Sequence, residues 1–425
     1  TWGASGGTGS VHVRGGLIET SASTWVYSNE TYIGDNGDIG TADIAGHWSA
    51  SDTFAVGSHG VGTLTIQSTG VVQSGSTYIN HNLGGGTADI AGYWRTGDLT
   101  IGHYNAGDAT IQSGGTLRAL TETVFLGLEE SSTGSLNVLG TFEYFDEIEV
   151  GGEGEGTLTI GEGGTVNRVV SPNPGFITLA ARVGDFRGAA DTGTLRINGD
   201  TNPGILDGAI VFGGDGNAIL DFAHGAADYH FTSNGSANGE TNSIRGTTNV
   251  IHSGTGKTTL LGTANSYTGS TTLSAGTLAL GSSSALGSTG TISFEGGTLE
   301  FSAGNTTDYS SRFSTADNQA YSINTGGQAV TFASDLTSSG GSLDKSGSGT
   351  LTLSGNNTYD GGATLTGGTL ALGSSGALGS TGAISFEGGT LEFSASNTID
   401  YSDRFSTAAN QAISIDTGGQ AITLA

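Results

Sequence analysis

Apolar residues alternate with small polar ones at period two in short phrases along the chain, as in Gly156-Thr157-Leu158-Thr159-Ile160 and Thr277-Leu278-Ala279-Leu280. This alternation places one set of side chains on one face of a strand. Glycine pairs close most phrases and supply the corners. From about Tyr32 the phrases follow a fixed order: an apolar residue, an anchoring Gly, a small loop, Gly-x-Leu-x-Ile, then Gly-x-Val. Val56-Gly57 thus leads to Gly62–Ile66, and Val150-Gly151 leads to Gly156–Ile160. The anchoring Gly falls at 34, 57, 102, 127, 151 and 184, with Ile79-Asn80 filling the missing beat, so the spacing is mostly 22 to 25 residues. Thr41-Ala42-Asp43-Ile44-Ala45-Gly46 returns as Thr87–Gly92, an offset of 46 residues, or two periods.

A second, longer period takes over downstream. Asn265–Ala333 and Asn357–Ala425 align at an offset of 92 residues and differ at 16 of 69 positions. Short strands, tight corners and self-similarity predict an all-β chain wound as a right-handed parallel β-helix (a β-solenoid) with 22–25 residues per turn. Roughly 18 turns are expected, with stacked strands about 4.8 Å apart. The expected organisation is an N-terminal cap or irregular first turn over 1–30, short repeats over 31–250, and 92-residue repeats over 251–425. Ser233–Asn249, rich in Asn, Gly, Ser and Thr, reads as a loop at the junction. The first long copy continues past Ala333 where the second stops at Ala425, so the chain is expected to be a piece of a longer polypeptide.

Composition narrows the function. A hydrophobic content of 34% over 425 residues is thin for one globule but enough for a slim column refilled at every turn. The net charge is −27, from 12 Lys plus Arg against 39 Asp plus Glu. Lys257 and Lys345 are the only lysines, so no basic stripe exists for nucleic acid, and an anionic membrane surface is disfavoured. With no Cys, disulfides and thiolate sites are excluded. No apolar run reaches the ~18 residues of a transmembrane helix.

Candidate chemistry is sparse. Glu129, Glu130, Glu153 and Glu155 fall one turn apart, with Glu143, Asp146, Glu147 and Glu149 between them. Stacked carboxylates can chelate Ca²⁺ or act as an acid/base pair; the plainer reading is a solvated acidic face, which also suits Asp35, Asp38 and Asp43. Gly213-Gly214-Asp215-Gly216-Asn217 is a single degenerate copy of a calcium-binding repeat. His252-Ser253-Gly254-Thr255-Gly256-Lys257-Thr258-Thr259 superficially suggests a phosphate loop, but the glycine that loop needs is Ile251 and a strand follows instead of a helix. The histidines, including His59 and His103 near corners, lack metal-ligand spacing. Trp48 and Trp94 suit either a stacked ladder or a sugar-binding strip. No catalytic residue and no cofactor is expected.

Leu260–Leu286, with Asn265-Ser266-Tyr267-Thr268-Gly269 and Gly276-Thr277-Leu278, resembles the passenger-associated transport repeat of autotransporters. Leu351–Leu378, with Gly355-Asn356-Asn357-Thr358-Tyr359, resembles it more closely. The resemblance implies a β-helical passenger at the surface of a Gram-negative-type bacterium. The expected role is therefore a non-catalytic extracellular rod serving adhesion, matrix or spacing, able to bind host or polysaccharide surfaces. Head-to-tail assembly into filaments is a variant. The alternative is a β-helical polysaccharide lyase or glycoside hydrolase using the acids at 129–155 with Arg118 or Arg168.

Overall fold

The computed structural model of the chain describes residues 10–14, 16–120, 122–169, 175–180, 191–231, 242–379 and 381–425. The Pro172–Pro174 loop and the Val183-Gly184 beat lie outside them. Strands stack in parallel as a β-solenoid of about 16 turns, and helix is limited to about 2%. That is fewer turns than the period alone suggests, because some turns are long. Glu155 pairs with Thr192, 37 residues on, and Gly175 with Ala209, 34 residues on. Each such turn is longer than the usual period, while the described strands on either side keep their register.

Contacts divide the described chain into two compact units, one running to Ala226 and including Ser243–Gly246, the other comprising Ala227–Phe231 and Val250–Ala425. In the first unit, period-two alternation becomes continuous inward columns. Ala42, Leu64, Ala88, Ala109, Leu136, Leu158, Leu195 and Leu220 pair in succession down one column. Ile44, Ile66, Ile90, Ile111, Val138, Ile160, Ile197 and Phe222 fill the next, and all are buried. Burying each large aliphatic side chain stabilises the fold by about 2 kcal/mol, so the core grows turn by turn, by less where Ala42, Ala88 or Ala109 stands. Ser243–Gly246, within the stretch expected to be a loop, is a strand paired with Ala209–Gly213. Its Ile244 is fully buried, which outweighs the polar composition around it.

Corners are set by backbone proximity. Gly57 has φ +75°, and a Cβ there would meet the Gly85 carbonyl oxygen at 2.2 Å. Asn80 adopts φ 65° at the equivalent corner. Its side-chain amide repays the strain by donating to the carbonyls of Gly84 (2.7 Å) and Ala106 (3.0 Å).

In the second unit the 92-residue period is not a whole number of turns. Thr277 pairs in succession with Thr298, Ser322, Asp344 and Thr364, which takes four turns and 87 residues. The sequence-equivalent of Thr277, Thr369, begins the next strand, in a different sheet. Matching strands of the two copies therefore lie one face apart. Each copy carries a 3₁₀ turn, Ser310–Arg312 and Ser402–Arg404. The arginines fasten the previous turn: Arg312 donates to the carbonyls of Gly290 (2.8 Å) and Leu286 (2.9 Å), and Arg404 to those of Gly382 (2.9 Å) and Leu378 (2.8 Å).

Gly57→Ala is expected to cost about 3 kcal/mol or more of stability, since it combines left-handed strain with a backbone clash. Gly37→Ala, at φ +84° with nothing within 4 Å, should cost only the strain, about 1–2 kcal/mol. Denaturant unfolding of the two variants compares them; equal losses would show that close stacking at the corner is not limiting.

Candidate functional site

The corner that follows each left-handed residue stacks from turn to turn. Gly57, Asn80, Gly102, Gly127 and Gly151 donate to the carbonyls of Ile33, Val56, Ile79, Ile101 and Leu126 at 2.7–2.9 Å. Side chains one or two positions later therefore share a ridge, which runs through Asp35, His59, His81, His103, Glu129 and Glu153. It changes character along its length. The Asp35 carboxylate takes His12 Nδ1 at 2.9 Å and Arg14 Nη2 at 3.2 Å, with His59 at 3.5 Å. In the middle, Tyr78, His81, His103 and Tyr104 stack, with ring centroids 4.0–5.8 Å apart along the series. His103 Nε2 then approaches the Glu129 carboxylate at 3.8 Å, where the acidic part begins.

Electrostatics follow this layout. Burial alone would raise the Asp35 carboxyl, but the hydrogen bonds from His12, Arg14 and the Asn36 backbone outweigh it and hold the group below the ordinary range. Burial, reinforced by His103 and His59, pushes His81 down. Burial, then Glu147 and Glu153, push Glu149 up.

The four glutamates proposed from spacing reach the same corner region but do not form one column. The Glu129 amide donates to the His103 carbonyl (3.2 Å), the Glu153 amide to Leu128 (2.9 Å), and Glu155 pairs with Thr133. Glu130 and Glu155 are exposed. Among the described residues, no group of three or more His, Asp or Glu is disposed to hold a metal ion. Asp43 instead accepts from Gln67 one turn on (2.8 Å), and Asp89 repeats this with Gln112 (2.7 Å). Asp38 forms part of the first corner, its amide donating to Asp35 at 3.2 Å.

The remaining candidates resolve into structure. Arg118 lies 3.5 Å from Glu143 and Arg168 lies 2.9 Å from Asp146, so each guanidinium faces an acid about one turn away, Glu143 on the following turn and Asp146 on the preceding one. Gly213–Asn217 links the strands Ala209–Gly213 and Asn217–Phe222. Residues 253–256 are a corner between Asn249–His252 and Lys257–Leu260, and Lys257 pairs with Glu300. Trp48 and Trp94 are buried, with Phe54 between them at 6.0 and 5.4 Å, and so belong to the core. Their indoles donate to Thr31 and Ser74, both at 3.0 Å.

Sequence reasoning passed over two features. Ile39 and Val61, paired on adjacent turns, and Leu83 are 66%, 50% and 81% exposed beside the ridge. Lys345 is fully buried, and the signal for it was present, because alternation within Ser342–Ser346 puts it on the same face as Leu343.

Asp35→Asn is expected to destabilise the first unit at neutral pH. The depressed carboxyl contributes above its unfolded-state value, and that contribution disappears as pH falls through its lowered folded value. The gap between variant and wild type in denaturant unfolding should therefore close between about pH 5 and pH 2. A gap that persists at the acid end would mean that the ion pairs contribute nothing.

The family model described as passenger-associated transport repeat matches residues 251–280 and 343–372. No curated protein and no solved structure matches the chain. The chain carries two passenger-associated transport repeats on a parallel β-solenoid, an arrangement consistent with an autotransporter passenger.

Proposed function

We propose that the chain is a non-catalytic structural or adhesive element, displayed outside a bacterial cell as an autotransporter passenger. The pair of transport repeats within one solenoid unit carries this reading. Export and surface display follow from what such repeats imply. The side-chain chemistry supports a scaffold over an enzyme: Arg118, Arg168, Asp43 and Asp89 are each engaged by a neighbour about one turn away. No helix among the described residues is long and apolar enough to cross a membrane.

The mechanism is geometric. Backbone ladders make every turn a rigid shelf, and the exposed Ile39, Val61 and Leu83 beside the histidine ridge give those shelves an adhesive edge. A surface charge of one dominant sign keeps chains apart in solution until such an edge meets a target. Head-to-tail addition of a second copy, strand edge to strand edge, is the filament-forming variant of this role.

Beads coated with the purified chain should bind host-cell monolayers or polysaccharide films at least about tenfold above albumin-coated beads, and Leu83→Asp with Val61→Asp should abolish the excess. Electron micrographs at high concentration separate single particles from end-to-end fibres. Depolymerisation of any polysaccharide in a broad panel, lost on Glu153→Gln or Glu155→Gln, would replace this reading with the enzymatic one.

A further inference from the structure

Both transport repeats bury a basic side chain at the same place. Lys345 ends the inward face of its strand with no exposed surface, and its Nζ donates to the carbonyls of Ser346 (2.8 Å), Gly347 (2.9 Å) and Gly367 (2.9 Å). His252, equally buried, donates from Nδ1 to the carbonyl of Ala275 at 2.9 Å. Ala275 and Gly367 are the same position, 92 residues apart. The backbone around them agrees. The His252 carbonyl accepts from the amides of Ser274 and Ala275, and the Lys345 carbonyl accepts from those of Thr366 and Gly367. Each acceptor is followed by a left-handed glycine, Gly276 at φ 56° and Gly368 at φ 61°. His252 and Lys345 themselves stand 93 residues apart, because the linker after the first is one residue longer, at Leu261–Ala264 against Ser354–Asn356.

We infer that this position is a built-in cation site, in which the chain's own ammonium at Lys345 fills a carbonyl nest that, once emptied, accepts a free alkylammonium ion. Three carbonyl oxygens converge on one nitrogen, and only the protonated amine has three N–H groups to satisfy them. An apolar side chain there would take the ammonium's hydrogen bonds from the half-buried Gly347 and Gly367 carbonyls, whereas the Ser346 carbonyl would keep those from Thr325. Burial pushes the ammonium down to about 8, against the opposing pull of Asp344. His252 fulfils the same task with a ring donor that reaches one carbonyl and also contacts Thr258 Oγ1 (3.1 Å). The site closes the corner of the repeat whether or not the displayed chain is adhesive.

Hydrogen exchange at the Thr366 and Gly367 amides of the full chain reads the closure. Lys345→Met keeps the aliphatic stem but removes the donors and should speed exchange about tenfold or more. Lys345→Ala, refolded with n-propylammonium, which replaces the missing atoms, should recover slow exchange; tetramethylammonium, with no N–H, should not. Wild-type exchange rates in Lys345→Met, or equal effects of the two cations, would overturn the inference. Should neither variant fold, His252→Lys decides: wild-type protection at Ser274 and Ala275 supports interchangeable donors, and faster exchange there refutes them.

Discussion

Everything in this molecule depends on the distance between one turn and the next. Parallel strands stack at about 4.8 Å, and at that separation most of the anchoring corners leave no room for a Cβ. Gly57, Gly102, Gly127 and Gly151 would each place a Cβ 2.1–2.3 Å from a carbonyl oxygen of the turn below. The glycine content is therefore the consequence of stacking, and the inward Ile, Leu and Val columns are its driving force. Neither works without the other: the columns exist only if corners close tightly, and the strained corners persist only because the columns over-determine them.

A chain with so few cations places them carefully. Arg312 and Arg404 bind carbonyls of the preceding corner, and Lys345 binds carbonyls of its own and the following turn. Arg118, Arg168, Arg196 and Lys257 face acids about one to two turns away. Positive charge is thus used between turns, as a fastener, and the surplus of negative charge is left to the solvent. Arg118 and Arg168, which a linear sequence leaves free beside the acids at 129–155, pair instead with Glu143 and Asp146.

Period and punctuation in the sequence carried most of the architecture. The Gly beat at 57, 102, 127 and 151 marks real corners, and Asn80 is a real substitute because its side chain can satisfy neighbouring carbonyls. What the pattern hid were features that depend on depth or on pairing partners. Trp48 and Trp94 lie on the inward face, where alternation places them, and their indole N–H groups donate to the Thr31 and Ser74 hydroxyls. The Ser243–Gly246 strand was masked by a polar neighbourhood, since one buried Ile244 suffices for a single rung. Glu129 and Glu153 both stand two residues after their corner glycine, but Glu155, four after Gly151, pairs with Thr133, six after Gly127, and a repeat period cannot resolve that difference in loop length.

The one-face offset between the two long copies has a consequence for the direction in which each copy faces. Identical residues of successive copies point in different directions, so a motif written once per copy is distributed around the circumference instead of forming a stripe. With roughly three faces to a turn, about three copies would bring the motif back to its starting azimuth.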